Sequence, residues 1–372
     1  MDNRIQAITT DTLTPLVQQL LNNTTITINR WQYEPVYGGF GGAIGGTALY
    51  RFKGNTTDHH TWSLILKVLM ERPNETVSSP YYWKREYEVY RSGMLDTLPD
   101  IGLTPPKTVG FEDFGDICWV WMEDIIDTKQ NWTMRDYQNA ARHIGRFNGA
   151  YMTGQHLPDY EWLSHDWHCA ITPALTDTFE QLDMLLEHPL AQHALPIEEK
   201  ESILSIWQNI DIYRDALADL PKTLCHIDAF RRNLLHRDND IVLIDWALVG
   251  HASIGEDLVP MVSLSLYLDG NSLDYANQVD KAVFEGYVTG LREMGWTGDA
   301  QLARIGYTCA MTLRGLAGVK QDLNLVINEG NHAQLRQTHK TDNLEAIADF
   351  FADVRRFRLL QMAQEARQLL GR

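Results

Sequence analysis

The hydrophobic periodicity of this chain changes near residue 122, and that change constrains the fold more than any other feature. Up to that point apolar residues fall in short β-branched and aromatic runs: Thr25–Tyr33, Thr47–Phe52, Trp62–Leu69, Lys107–Phe111 and Ile117–Met122. The first three, separated by a glycine-rich turn and a polar turn, predict an antiparallel meander. Two helices are expected among the strands, over 11–22 and from Ser79 to about Leu95. Ser79 suits the N-cap of the second, and Pro80 its first helical position. After Asp127 the spacing becomes three-four. Tyr137, Ala140, Ala141, Ile144, Phe147 and Tyr151 predict one buried helix face. Further helices are expected near 172–187, 197–218, 273–293, 298–320 and 341–370, interrupted by a β patch at Thr223–His226 and Leu234–Ile244.

At 372 residues the chain exceeds what one core usually organises. The expected class is α+β with two lobes: a small antiparallel β-sheet lobe over 1–122, a connector over 123–130, and a larger, mainly helical lobe over 131–372. A formal net charge of -17 argues against nucleic acid as a partner, because neutralising phosphates needs a Lys/Arg surplus. Cys118, Cys169, Cys225 and Cys309 form no close pair, which argues against a zinc site or a disulfide framework and for a reducing compartment. The N-terminus has no basic start followed by an apolar run, and nothing approaches the roughly 18 apolar residues of a membrane span. The expectation is a soluble, cytoplasmic monomer or homodimer with no membrane partner.

The segment Leu224–Leu248, LCHIDAFRRNLLHRDNDIVLIDWAL, carries the chemistry. It holds His226-x-Asp228-x4-Asn233, and eleven residues on an apolar strand closes in Ile244-Asp245-Trp246. Asp and Asn favour turns, so an isolated H-x-D would mean little. The full pattern is more specific. Phosphoryl transfer asks a protein mainly for positioning and charge neutralisation. One carboxylate must accept the acceptor hydroxyl's proton, while a second carboxylate and an amide oxygen hold magnesium ions, which prefer hard oxygen ligands. Asp228, Asp245 and Asn233 fit those three roles.

This pattern resembles the aminoglycoside phosphotransferase and choline kinase-like small-molecule kinases, relatives of protein kinases, whose members carry an H-G-D-x4-N loop and an I-D-[WF] motif. The resemblance extends loosely over residues 25–320 and implies a bilobal protein-kinase-like fold. It implies Asp228 as catalytic base, Asn233 and Asp245 as Mg2+ ligands, His226 as a loop-stabilising residue, and Asp257 of Gly255-Glu-Asp-Leu258 as a second loop stabiliser. It also implies a nucleotide apparatus for ATP or GTP. The glycine-rich stretch between Tyr37 and Thr47, with Gly41 and Gly42, would offer backbone amides to phosphate oxygens. Lys67, inside the apolar run LILKVL, would meet the α and β phosphates, with Glu86 as its partner and Glu88 as the lesser candidate. Adenine would be held by backbone groups of Glu123 and Ile125, with Met122 lining the pocket.

Two matches to protein-kinase motifs are set aside. Asp113-Phe114-Gly115 precedes the catalytic loop, and His236-Arg237-Asp238 lacks an Asn five residues on; both read as turns. His165-Asp-Trp-His168 has no third residue to complete a metal site. Two positions depart from the family pattern: Ile227 stands where Gly is usual, and Arg231-Arg232 where Pro-Gly is common.

The expected function is ATP- and Mg2+-dependent phosphorylation of a small-molecule hydroxyl. The acidic balance leans toward an amine-bearing antibiotic or metabolite, and antibiotic resistance is within the family's range. The alternative is a nucleotide-binding pseudokinase without turnover. Protein kinase activity is argued against by the absent A-P-E segment after Asp245.

Overall fold

A computed structural model describes residues 3–36, 47–237, 240–269 and 273–372. The glycine-rich stretch with Gly41 and Gly42 lies outside the described residues, as do Asp238 and Asn239. The strands are β1 (Ile28–Pro35), β2 (Thr47–Thr56), β3 (Thr61–Met70), β4 (Leu103–Thr104), β5 (Thr108–Asp113), β6 (Ile117–Glu123), β7 (Ser164–His165), β8 (Lys222–Cys225), β9 (Leu234–Arg237), β10 (Asp240–Leu243) and β11 (Gly250–Ser253). The helices that bear on the site are α1 (Thr10–Leu20), α2 (Arg85–Arg91), α3 (Met134–Thr153), α4 (Leu258–Asp269), α5 (Leu273–Glu293) and α6 (Ala300–Ile327).

The chain forms two compact units. The first comprises residues 1–130, 160–162 and 232–247; the second comprises 131–159, 163–231 and 248–372. The segment holding Asn233 and Asp245 therefore groups with the N-terminal strands, and the one holding Asp228 with the helices.

In the first unit the expected meander is extended to five antiparallel strands, in the order β1-β2-β3-β6-β5. Alternation along β3 sends Leu64, Leu66 and Val68 into a core with Phe52, Trp119, Trp121 and the α1 residues Leu13 and Val17. Lys67, of opposite parity, faces the other side of the sheet. Asp113-Phe-Gly115 is the turn between β5 and β6, with Gly115 at φ +92°. A second sheet, β4-β10-β9, carries the strand that ends at the Ile244-Asp245-Trp246 motif. The predicted β patch is thus divided: Leu234–Arg237 and Asp240–Leu243 lie in this sheet, whereas β8 joins β7 and β11 in the second unit.

The helix expected from Ser79 is shorter than predicted, running only from Arg85 to Arg91. The Arg85 guanidinium takes the carbonyls of Ser79 (2.8 Å) and Pro80 (2.9 Å), which holds those residues in a turn ahead of the helix.

In the second unit α3 and α5 approach so closely that only glycine fits at their crossing. A Cβ at Gly290 would stand 2.0 Å from the Arg142 carbonyl oxygen, one at Gly286 2.1 Å from that of Gln138, and one at Gly145 2.1 Å from that of Tyr287. The predicted face of α3 is buried at every named position, from Tyr137 to Tyr151. Helix α4 escapes the periodicity argument because LVPMVSLSL is apolar all round, and Leu258, Val259, Met261 and Val262 are all fully buried. No helix among the described residues is long and apolar enough to cross a membrane.

Gly290→Ala is expected to destabilise the chain by roughly 3 kcal/mol, since a methyl group would press on backbone that cannot move independently. Chemical denaturation checks this, and a midpoint equal to that of the parent contradicts it.

Candidate active site

A lysine in the middle of an apolar strand must find counter-charge or lose its proton. Lys67, 8% exposed, finds two carboxylates within the first unit. Its ammonium pairs with Glu86 of α2 and donates to Asp245 Oδ1 at 2.8 Å. Burial works against the Lys67 charge, but Asp245 and Glu86 more than offset it and hold its pKa above the ordinary lysine value. Glu86 is 1% exposed, and burial pushes its pKa up to about 7, with Asp245 adding to the rise and Lys67 opposing it. Glu88, the other helix candidate, is only partly buried and is not the partner. Asp245 itself has φ +64°, a left-handed conformation rare outside glycine, and its side chain is 39% exposed.

Arg85 fixes how α2 meets the Asp245 loop. Fully buried, it donates to Trp162 O (2.6 Å) and Ala247 O (2.9 Å) in addition to the Ser79 and Pro80 carbonyls. Burial lowers its pKa to about 10, so it stays charged at neutral pH. Ala247 lies two residues beyond Asp245, and Arg85 immediately precedes Glu86. One guanidinium therefore ties together the segments that supply both carboxylates to Lys67. Asn233 ends the turn Arg231–Asn233, is 6% exposed, and its carbonyl accepts from the Ile244 N–H at 3.0 Å.

The loop bearing Asp228 belongs to the second unit and hangs from Asp257. Asp257 Oδ1 accepts the Ile227 N–H at 2.6 Å, and Oδ2 accepts the His226 N–H at 3.1 Å and Asn148 Nδ2 at 2.9 Å. Asn148 also donates to Leu224 O at 2.8 Å, and its Oδ1 accepts from the Tyr287 hydroxyl at 2.8 Å. His226, fully buried, accepts the Asp228 N–H at Nδ1, 3.2 Å away. Asn148 was missed in the sequence, although a polar residue four past Ile144 and three before Tyr151 on an apolar face was a readable signal. Burial pushes the Asp257 pKa from 3.8 to about 6, against the lowering effect of the three donors.

Ile227 adopts φ +67°, the left-handed backbone that glycine takes most easily. A β-branched residue there is strained. Its side chain is fully buried in a cluster with Trp167, Ile171, Cys225 and Ala252, and that burial offsets the strain. The loop keeps a glycine-like turn without glycine.

Other expected residues have different surroundings. The Glu123 N–H donates to Lys107 O at 2.9 Å, and its carboxylate takes the Lys107 N–H at 2.8 Å and Arg237 Nη1 at 2.9 Å. Any adenine contact by Glu123 backbone would thus need its carbonyl. Met122 is buried at the end of β6, and Ile125 is partly buried beyond it. His168 pairs with Glu256 at 2.7 Å, both fully buried, while the His165 ring packs edge-on against His251 at 5.0 Å.

The fold is protein-kinase-like. It is similar to an amicoumacin kinase, hAmiN, solved with AMP-PNP and Ca2+, at 12% identity over 93% of this chain and 96% of that one, with a TM-score of 0.54. It is also similar to an aminoglycoside phosphotransferase from Alicyclobacillus acidocaldarius (12% identity, 90% and 92% covered, TM-score 0.52). A choline kinase from Cryptosporidium parvum gives 11% identity, 92% and 90% covered, and a TM-score of 0.51. No curated protein matches the chain. Residues 156–297, which include Asp228, Asn233, Asp245 and Asp257, match the model of the phosphotransferase enzyme family. The family match covers the segment that carries these residues, and the fold is of the kind the sequence resemblance implied.

Two predictions follow from the loop geometry. Ile227→Gly should relieve the backbone but lose a buried side chain, costing about 2 kcal/mol net while leaving turnover within a few-fold; a large loss of turnover with unchanged stability contradicts this. For Asp257, a folded pKa above the unfolded value means its protonated form favours folding. That contribution is complete below pH 4 and disappears as pH rises through about 6. The unfolding free energy of the parent, measured against that of Asp257→Asn, should therefore fall by up to about 3 kcal/mol between pH 4 and 7. A difference independent of pH contradicts it.

Proposed function

We propose that this protein transfers the γ-phosphoryl group of ATP, or of GTP, to a hydroxyl of a small molecule, with Mg2+ bound. The observation that carries the reading is Lys67, buried and held between Glu86 and Asp245. A structural lysine has no need of two carboxylates, one of them more than a third exposed. A cation that must also meet phosphate oxygens does need to be held in place.

In this reading residues 1–122 form the nucleotide-binding lobe, 123–130 the hinge, and 131–372 the helical lobe that carries the catalytic loop and takes the acceptor. Lys67 meets the α and β phosphates, and Met122, Glu123 and Ile125 border the adenine. Asp245 and Asn233 supply the carboxylate and amide oxygens that suit Mg2+. The exposure of Asp245 is compatible with a further ligand. Bound Mg2+ would neutralise charge on the triphosphate. Asp228 receives the hydroxyl proton as the acceptor oxygen bonds to the γ-phosphorus and the bond from that phosphorus to the β–γ bridging oxygen breaks. His226 and Asp257 hold the Asp228 backbone. The acceptor class within hydroxyl-bearing antibiotics and metabolites is left to a screen of such compounds for ADP release.

Asp228→Asn is expected to bind Mg2+-nucleotide nearly as the parent does, yet to lose turnover by about 100-fold or more. Asp245→Ala should abolish Mg2+-dependent nucleotide binding. ADP-release rates and nucleotide titration check both. Full turnover in Asp228→Asn removes it from the base role, and normal metal-dependent affinity in Asp245→Ala removes that ligand. A parent that binds nucleotide but never releases ADP supports the pseudokinase alternative.

A further inference from the structure

We propose that Arg314, from the middle of α6, is a positioning residue for the base Asp228, an inference that rests on the reading of Asp228 just given. Arg314, Asp228, Ile227 and Trp167 all belong to the second unit. Nη2 stands 3.6 Å from Asp228 Oδ1, and Nη1 donates to the Ile227 carbonyl at 3.4 Å. The guanidinium carbon sits 5.4 Å from the centre of the Trp167 ring, and Trp167 is 3% exposed. The Arg314 and Asp228 side chains are 15% and 22% exposed.

Three points separate this from an ordinary ion pair. The backbone of the loop is already fixed by Asp257 and His226, so Arg314 is not needed to hang it. Those contacts act on backbone, whereas Arg314 acts on the Asp228 carboxylate itself. A base must present an oxygen to the hydroxyl in a fixed direction, and a guanidinium immobilised on a buried indole face can impose one. At 3.6 Å the contact is longer than a hydrogen bond, so Arg314 acts on the carboxylate through its charge. The same guanidinium also reaches the carbonyl of Ile227, the residue held in a left-handed conformation. One side chain therefore acts on both the strained peptide and the carboxylate that follows it.

The experiment uses the full chain with MgATP and follows ADP release with water as acceptor, so that no acceptor need be known. Arg314→Met keeps an unbranched apolar stem against Trp167, and Arg314→Lys keeps the charge without the planar fork. The proposal expects Arg314→Met to lower kcat by about 10- to 100-fold, with KM for ATP changed less than about threefold. Arg314→Lys should recover part of the loss. Combined with Asp228→Asn, Arg314→Met should cost little more, because a positioning residue has nothing left to position. Unchanged kcat in Arg314→Met overturns the proposal. So does a full additional loss in the double variant, or a loss confined to KM. Should Arg314→Met not fold, the Arg314→Lys comparison in both backgrounds decides, with equal losses in the two overturning the proposal. Full turnover in Asp228→Asn alone, or no ADP release by the parent, is a separate result: it removes the base assignment and the proposal with it.

Discussion

The first unit depends on the pairing of one buried ammonium with two carboxylates. Burying Lys67 alone would cost several kcal/mol or its proton. The chain meets that cost with Glu86 from a helix and Asp245 from a loop that follows a separate sheet. Sharing the cation requires the strand, the helix and the loop to keep a common register, and Arg85 locks the helix to the loop through carbonyls on three segments. The strain at Asp245 fits the same account, since a left-handed residue persists only where its surroundings over-determine it.

The second unit solves a different problem, that of holding a short loop still. A buried Asp257 accepts two consecutive backbone N–H groups and the Asn148 amide, so the loop geometry is written in hydrogen bonds rather than in residue type. That is why glycine can be absent at position 227. The turn is imposed from outside, and the isoleucine side chain contributes burial in a cluster that a glycine would leave unfilled. Because the turn survives this substitution, it is the hydrogen-bonding geometry, more than the consensus letter, that defines the loop.

The fold class was legible because strand alternation and three-four helical spacing are both local signals, and they change near residue 122. What escaped was set by tertiary context. Helix α4 has no polar face to give it a period. Ser79 and Pro80 satisfy the local rules for a helix start, yet a buried arginine takes their carbonyls first. In the candidate site, Lys67 stood out as a charge inside an apolar run. Arg314, in TLRGLAG, carries the same signal on a helix. Its partners lie 86 and 87 residues back along the chain, so spacing could not connect them. Asn148 was hidden likewise, a polar residue on an apolar helix face whose partners come from β8, from α5 and from Asp257 just ahead of α4.

The central claim is that Lys67 is held by its two carboxylates in order to receive phosphate. Titration of a fluorescent ATP analogue into the parent and into Lys67→Met, with and without Mg2+, tests it most directly. The account predicts Mg2+-dependent binding by the parent and affinity weakened at least about tenfold in the folded variant. Equal affinity in the two proteins would contradict it.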